Sequence, residues 1–193
     1  MATLIIGNIN SFGSELTEME IIRGCQKGIA HCQKELVVRY SPYLMTISRR
    51  YCRDNEQAKD ILQDSYIKIF KGILKFKPTG SFKGWMARIL INTALQTFDK
   101  SCFKKEISGL DELVEPSQQP GIYAYLGAEE LMALVQQLPD GFKQVFNLYV
   151  VEDYSHREIA ELLGITESTS RSQLVRARKC LQNMLQKRDK IRV

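Results

Sequence analysis

Ser168, Arg171, Ser172, Val175, Arg176 and Lys179 recur at helical spacing within GITESTSRSQLVRARK, residues 164–179, and share one side of a helix. Ser170, Leu174, Ala177, Leu181 and Met184 or Leu185 form the opposite, core-facing side. The chemistry open to the first set is hydrogen bonding to base edges. Arginine spans the two acceptors of guanine, serine pairs with donor or acceptor, and an exposed valine meets the thymine methyl. The plain alternative is a solvated helix with ordinary surface arginines, and Val175 set between arginines speaks against it.

A second set lies in FKPTGSFKGWMARILINTALQTFDK, residues 76–100, where Phe76, Lys77, Lys83, Trp85, Arg88 and Lys100 mix rings with cations. Positive charge draws in a phosphate backbone, and flat rings stack on unpaired bases. Asn92 and Gln96 stand four apart on one face, suited to the edge of an extruded base. Phe82, Trp85, Ile89 and Leu90 also fit a buried stripe, so core packing accounts for the rings equally well. Upstream, DNEQAKDILQDSYIKIF sets Asp54, Glu56, Asp60 and Asp64, with Gln63, against Lys59. An acidic face is repelled by phosphate; it is either a protein-docking surface or a solvated helix front.

Neither segment holds a nucleophile with a base partner, a phosphate-cradling loop or a metal constellation, so no catalytic centre, cofactor or metal is expected. The five cysteines are odd in number and scattered without a C-x-x-C pair, which suits buried thiols in a reducing compartment. Cys25, His31 and Cys32 lie close together but lack the ligand spacing of a zinc finger or ribbon. His156 reads as a surface residue.

These segments must be positioned by a chain of 193 residues, 44% hydrophobic and 25% charged, a globular composition. Its net charge of +5 is unevenly spread: the blocks 1–101, 102–125, 126–165 and 166–193 carry +6, −2, −5 and +6. Two separate anionic contacts are suggested. No apolar run approaches the roughly 20 residues that span a bilayer, and the N-terminus lacks a basic region and apolar core of the secretory kind, so a cytoplasmic protein is expected.

Apolar residues recur at three and four rather than at two, which predicts helices and no strands. Thr17 and Glu20 have the form of a capping box and open a helix ending near Gly28. A second helix is expected from about Lys34 through Arg53, interrupted or bent near Pro42. Asp54 caps a third over residues 55–72, with Ala58, Ile61, Leu62, Ser65 and Ile69 on one stripe, and a fourth covers residues 82–100. Residues 101–125 hold Pro116, Pro120 and Gly121 without sustained period and read as a linker. Loops of that length are uncommon within one compact domain.

After the linker, Leu131, Leu134, Val135 and Leu138 form one stripe and Phe142, Val145, Phe146 and Tyr149 the next. Ser155 caps a short helix that Gly164 ends in the left-handed conformation, and Thr166 caps the helix of the opening set. Two helices joined at Gly164, with small Ala160 at the crossing and Ile165 as a plug, match the helix-turn-helix pattern. The expected protein is all-α, with a tail over 1–16, a helical domain over 17–101, a flexible linker over 102–125 and a helix-turn-helix domain over 126–193.

The two helical segments of the first domain, followed by LPDGFKQVFNLYVVEDYSHREIAELLGITESTSRSQLVRARKCL, resemble the bacterial RNA polymerase sigma factors of the extracytoplasmic-function group. The similarity runs from residue 17 to about 187, apart from the linker. It implies a subunit that binds core RNA polymerase, at its clamp helices and flap, and directs promoter-specific initiation. Asp60, Gln63 and Asp64 would dock on the clamp helices. Phe76, with Lys77, would belong to the loop that holds an extruded base of the minus-10 element. Trp85, Arg88, Asn92, Gln96 and Lys100 would follow the melted strand. Ser168, Arg171, Ser172, Val175, Arg176 and Lys179 would meet double-stranded minus-35 DNA, and an anti-sigma factor is a partner implied by the family alone. Gln96 and Asp99 stand where many members carry Asp and Arg. The competing reading is a dimeric helix-turn-helix regulator on an operator, which leaves the acidic helix and the aromatic-basic segment without a role.

Overall fold

The computed structural model describes residues 16–97 and 127–191. The linker, Asp99, Lys100 and the tail before Leu16 lie outside the described residues. Among those described, every regular element is helical, and no helix is long and apolar enough to cross a membrane.

The first group comprises α1 (Glu18–Gln26), α2 (Ala30–Tyr51), α3 (Asn55–Ile73) and α4 (Phe82–Gln96). Helix α1 starts with the expected capping box: the Glu20 amide donates to Thr17 Oγ1 at 3.3 Å and the Thr17 amide to the Glu20 carboxylate at 2.8 Å. Helix α2 departs from expectation. It begins at Ala30 rather than near Lys34 and runs through Pro42 uninterrupted. Proline removes a donor to the carbonyl four residues earlier, here that of Val38, which is 61% exposed; water can satisfy that carbonyl, so the helix continues.

Asp54 caps α3 by accepting from the Gln57 amide at 2.8 Å, and all five expected stripe residues of α3 are buried. Helix α4 is capped by Ser81 and ends at Gln96, short of the expected residue 100, with Thr97 as its C-cap. The four helices enclose Leu36, Leu44, Ile47, Ile69, Phe82, Met86 and Leu90, each almost wholly removed from water. Ser48, fully buried, donates to the Ala58 carbonyl at 2.8 Å and ties α2 to α3.

The second group comprises α5 (Ala128–Val135), α6 (Asp140–Phe146), a π-helical turn (Asn147–Val151), α7 (His156–Leu163) and α8 (Glu167–Ile191). The π turn corrects one expectation. It inserts an extra residue per turn and shifts the phase of the apolar stripe, so Leu148 is fully buried while Tyr149 is 36% exposed instead of continuing the line of Phe142, Val145 and Phe146. The core of this group is Val145, Leu148, Ile159, Leu163, Leu174, Ala177 and Leu181.

The two groups touch through polar contacts at the end of α2. Gln136 donates to the carbonyls of Arg49 and Arg50 at 3.0 and 3.2 Å, and buried Asn147 donates to that of Arg50 at 3.0 Å. These carbonyls belong to the last turn of α2, where no intrahelical donor remains. Arg50 also pairs with Glu152 at 2.7 Å, and Asp140 bonds both Arg53 and the buried Lys143, the latter at 3.2 Å.

Burial alone would raise the Asp140 carboxyl, but the bonds from Arg53 and Lys143 outweigh it and hold the group below its ordinary value. A depressed carboxyl contributes stability above its unfolded pKa and loses it as pH falls through the folded one. Asp140→Asn strands the Lys143 ammonium, whose side chain is 4% exposed. It is expected to cost about 2–3 kcal/mol at pH 7, since removing one partner of a buried pair leaves an uncompensated charge. Denaturant unfolding at pH 7 and again below the carboxylate range checks this: the difference between variant and parent should shrink in acid.

Candidate nucleic-acid interface

At the junction of α3 and α4 the chain turns through residues 74–81 and leaves a hollow of about 590 Å³ lined by Lys75, Phe76, Lys77, Thr79, Trp85 and Arg88 among others. Two rings, Phe76 and Trp85, form its apolar side, backed by the buried Phe82. Trp85 lies 4.9 Å from Phe76 and stacks on Phe82 at 5.6 Å with planes 17° apart, and Phe76 stands 5.1 Å from Phe82. Phe82 is buried at 1% exposure, whereas Phe76 and Trp85 are half-buried. Burial divides these rings by residue: Phe82 and Leu90 are core, and Phe76 and Trp85 keep surface toward the hollow. Gly72 lets the indole sit down on α3, for a Cβ there would stand 3.1 Å from it.

The loop is pinned from a distant element. Gln26, at the end of α1, donates through Nε2 to the carbonyls of Ile73 and Phe76 at 3.0 and 3.2 Å. No local sequence signal marks Gln26, because its partners lie some fifty residues on. Lys75 and Lys68 were also absent from the expected set. Lys75 lines the hollow beside Lys77 and Arg88, so the cationic lining is larger than expected.

Asn92 and Gln96 do not form the expected free pair. The Asn92 carbonyl oxygen is buried without a hydrogen-bond partner, so it is not offered to a base. Gln96 is exposed, and its oxygen accepts from Lys68 Nζ at 2.8 Å, while Lys68 also donates to Thr93 at 3.1 Å. The end of α4 thus presents a lysine held over a glutamine rather than two free amides. Arg88 is exposed on α4 and stands 6.0 Å from the Tyr154 ring of the second group.

On α3, Asp60, Gln63 and Asp64 are all exposed on one side. Ile67, one turn further on, is 50% exposed, and Leu74, just past the helix end, is 64% exposed. The expected acidic face is therefore bordered by two apolar side chains that sequence periodicity had not singled out. Acidic groups repel phosphate, and Ile67 adds uncovered apolar surface beside them.

In the second group the turn is built as expected. Gly164 adopts the left-handed conformation at φ 67°, and the Ile165 amide returns to the Ala160 carbonyl at 3.1 Å. Thr166 Oγ1 accepts from the Thr169 amide at 3.1 Å and caps α8. Ser168, Arg171 and Lys179 are exposed, and Ser172, Val175 and Arg176 half-buried, so the six residues do share the outer side of α8. Arg171 rests in an ion pair with Glu167 at 2.6 Å, an exposed contact of small worth. The Ser172 hydroxyl donates to the Thr169 carbonyl at 2.9 Å, which leaves its oxygen as an acceptor. Cys25, Cys32 and Cys52 are buried free thiols, and burial pushes the Cys25 thiol up to about 11, far from the range of a reactive thiolate.

A basic, ring-lined hollow on one helical group and a helix-turn-helix on the other define a DNA-binding protein of transcription. The family model for Sigma-70 region 2 matches residues 36–101, and that for Sigma-70, region 4, matches residues 128–181. The chain is 26% identical over 184 residues to the ECF RNA polymerase sigma-E factor of Escherichia coli, covering 89% of this chain and 96% of that protein. It is 26% identical over 186 residues to the same factor of Haemophilus influenzae, covering 89% and 97%. Among solved structures it is similar to the sigma factor RpoE of Bartonella quintana, in complex with the anti-sigma factor NepR, at 21% identity and a TM-score of 0.49, covering 79% of this chain and 96% of that one. The chain belongs to the sigma-70 family, in its extracytoplasmic-function group, and is a sigma factor that directs promoter-specific transcription initiation. A dimeric operator-binding regulator is not favoured, because the region 2 match accounts for the very half that such a regulator leaves idle.

Proposed function

We propose that the three surfaces divide promoter initiation between them. The acidic face of α3, with Asp60, Gln63, Asp64 and the adjoining Ile67, docks on the clamp helices of core RNA polymerase, and the second group reaches the flap. The hollow beside Phe76 and Trp85 takes an extruded minus-10 base, with Lys75, Lys77 and Arg88 on the flanking phosphates and Lys68, Gln96 and Lys100 continuing along the strand. The outer side of α8 reads the minus-35 element in the major groove.

The observation that carries this is the hollow itself: rings with exposed surface, ringed by cations, at a loop braced by Gln26. Extrusion costs a few kcal/mol per unstacked step, which ring stacking and polymerase contacts together offset. The protein does no chemistry of its own; RNA synthesis belongs to the polymerase, and the chain works in the cytoplasm where that enzyme is. An anti-sigma protein is the further partner that the family implies. In vitro transcription with core polymerase on genomic DNA is the test. Initiation at discrete sites only when this chain is added supports the reading, and unchanged transcription overturns it.

Charge reversal on α3 checks the docking surface separately. Asp64→Lys is exposed and leaves the α3 stripe intact. It is expected to weaken association with core polymerase by roughly tenfold, as truncating or reversing one member of an interface charge pair does. A pull-down against the purified core measures it, with the melting temperature of the free variant as control.

A further inference from the structure

We propose that His156 is a positioning residue for promoter reading, a bolt that locks the first turns of α8 to the N-terminus of α7 through Ser170. The proposal rests on the outer side of α8 being the surface that meets bases.

Helix α8 opens with three residues, Glu167, Ser168 and Thr169, that are exposed or half-exposed, and Ser170 is its first buried side chain, at 0% exposure. Its hydroxyl lies 2.9 Å from His156 Nδ1. The next inward anchors, Gln173 and Leu174, stand a full turn later. The half-buried Ile165 packs on the core ahead of α8, and within the first turn of the reading helix the inward anchor is a hydrogen bond.

The imidazole that makes this bond is itself fixed on three sides. Its main chain is the first residue of α7, whose N-terminus is set by the capping box of Ser155 and Glu158. One face stacks on Tyr149, with ring centres 4.4 Å apart and planes 19° from parallel, a ring brought there by the π turn. Its edge meets Ser170. The charged groups around it are Arg171, Arg178 and Glu167, and burial followed by Arg171 holds the ring below the ordinary histidine value. It is neutral near pH 7, so Nδ1 can accept from the Ser170 hydroxyl or donate to it.

Neighbouring residues on a helix are turned by about 100° from one another. Holding Ser170 inward therefore sets the angle at which Ser168, Arg171 and Ser172 point outward. Residues at the N-terminal end of such a helix are the ones that reach base edges. Bidentate contacts tolerate little rotation, so losing the bolt should cost discrimination before it costs the fold.

The experiment uses holoenzyme, core polymerase with the full chain, on a promoter found by its own in vitro transcription, with the minus-35 element intact or scrambled. His156→Ala is expected to lower the ratio of intact to scrambled affinity roughly tenfold, because a buried hydroxyl loses its partner and the helix start its tether. His156→Asn, whose side-chain oxygen stands near the place of Nδ1, should restore the ratio to within about threefold. Ser170→Ala should lower the ratio; it leaves His156 Nδ1 without its partner, but on a half-buried ring, so the thermal midpoint should fall less than for His156→Ala. Equal loss on both DNAs for His156→Ala, or failure of the Asn variant to rescue, overturns the proposal. If His156→Ala does not fold, Ser170→Ala decides alone: an unchanged ratio overturns it. Arg176→Ala is the control, and if that also leaves the ratio unchanged, α8 is not the reader and the proposal falls with that assignment.

Discussion

Trp85→Ala is expected to leave core polymerase binding unchanged and to reduce opening of the minus-10 element by about tenfold. The indole is half-buried against Phe76, Phe82 and Gly72 and shows its remaining surface to the hollow. Stacking of one base on a ring contributes roughly 1–3 kcal/mol, so its loss falls on the melted state alone. Asp60, Gln63 and Asp64, proposed to dock on the polymerase, sit on the exposed side of α3, and the ring cluster comprises none of them. Permanganate reactivity of minus-10 thymines measures opening, and pull-down measures docking; lost docking with normal opening would sink the assignment. Because the ring also packs, the variant should lose about 2–3 kcal/mol of stability. Trp85→Phe, which keeps a stacking face, should recover most of both effects.

The second large effect is expected at Arg176. Its replacement by alanine should cost about 1–3 kcal/mol at the cognate minus-35 site and flatten the preference at one base pair. Arg176 lies on the outer side of α8 and is half-buried. Lys179, exposed on the same side, makes the contrast. Its replacement should weaken all sequences alike and reduce the salt dependence of binding by about one unit of slope, as a phosphate contact does. Holoenzyme titrations on single-base variants of the promoter, at two salt concentrations, separate the two. Undiminished promoter preference in Arg176→Ala would remove α8 as the reading element.

Much of the fold was legible because its signals are local. Asp54 followed by a stripe of five apolar or small residues becomes α3 with every one of them buried. Gly164 between two amphipathic segments becomes the left-handed turn of the helix-turn-helix. Misplaced elements share a cause: a local rule was overridden by its surroundings. Pro42 stays inside α2, where the carbonyl that loses its donor belongs to the exposed residue Val38. Tyr149 leaves the apolar line because a π turn rotates everything after it.

The candidate site was legible in residue type more than in use. Phe76, Trp85, Lys77 and Arg88 do converge on one hollow. Asn92, however, turns its oxygen into the protein and Gln96 spends its own on Lys68, and neither partner can be inferred from a spacing of four. His156, expected on the surface, is half-buried between Tyr149 and Ser170. Gln26 braces a loop fifty residues away.

By its order of residues alone, the chain determined its helices, its caps, the segregation of its charge and the outward set of α8, because each depends on groups within a turn or two of one another. Only the tertiary structure decided which polar groups are satisfied and by whom. A hydrogen bond needs its partner within about 3 Å, and whether Gln26, Lys68 or His156 finds one depends on how separate helices pack.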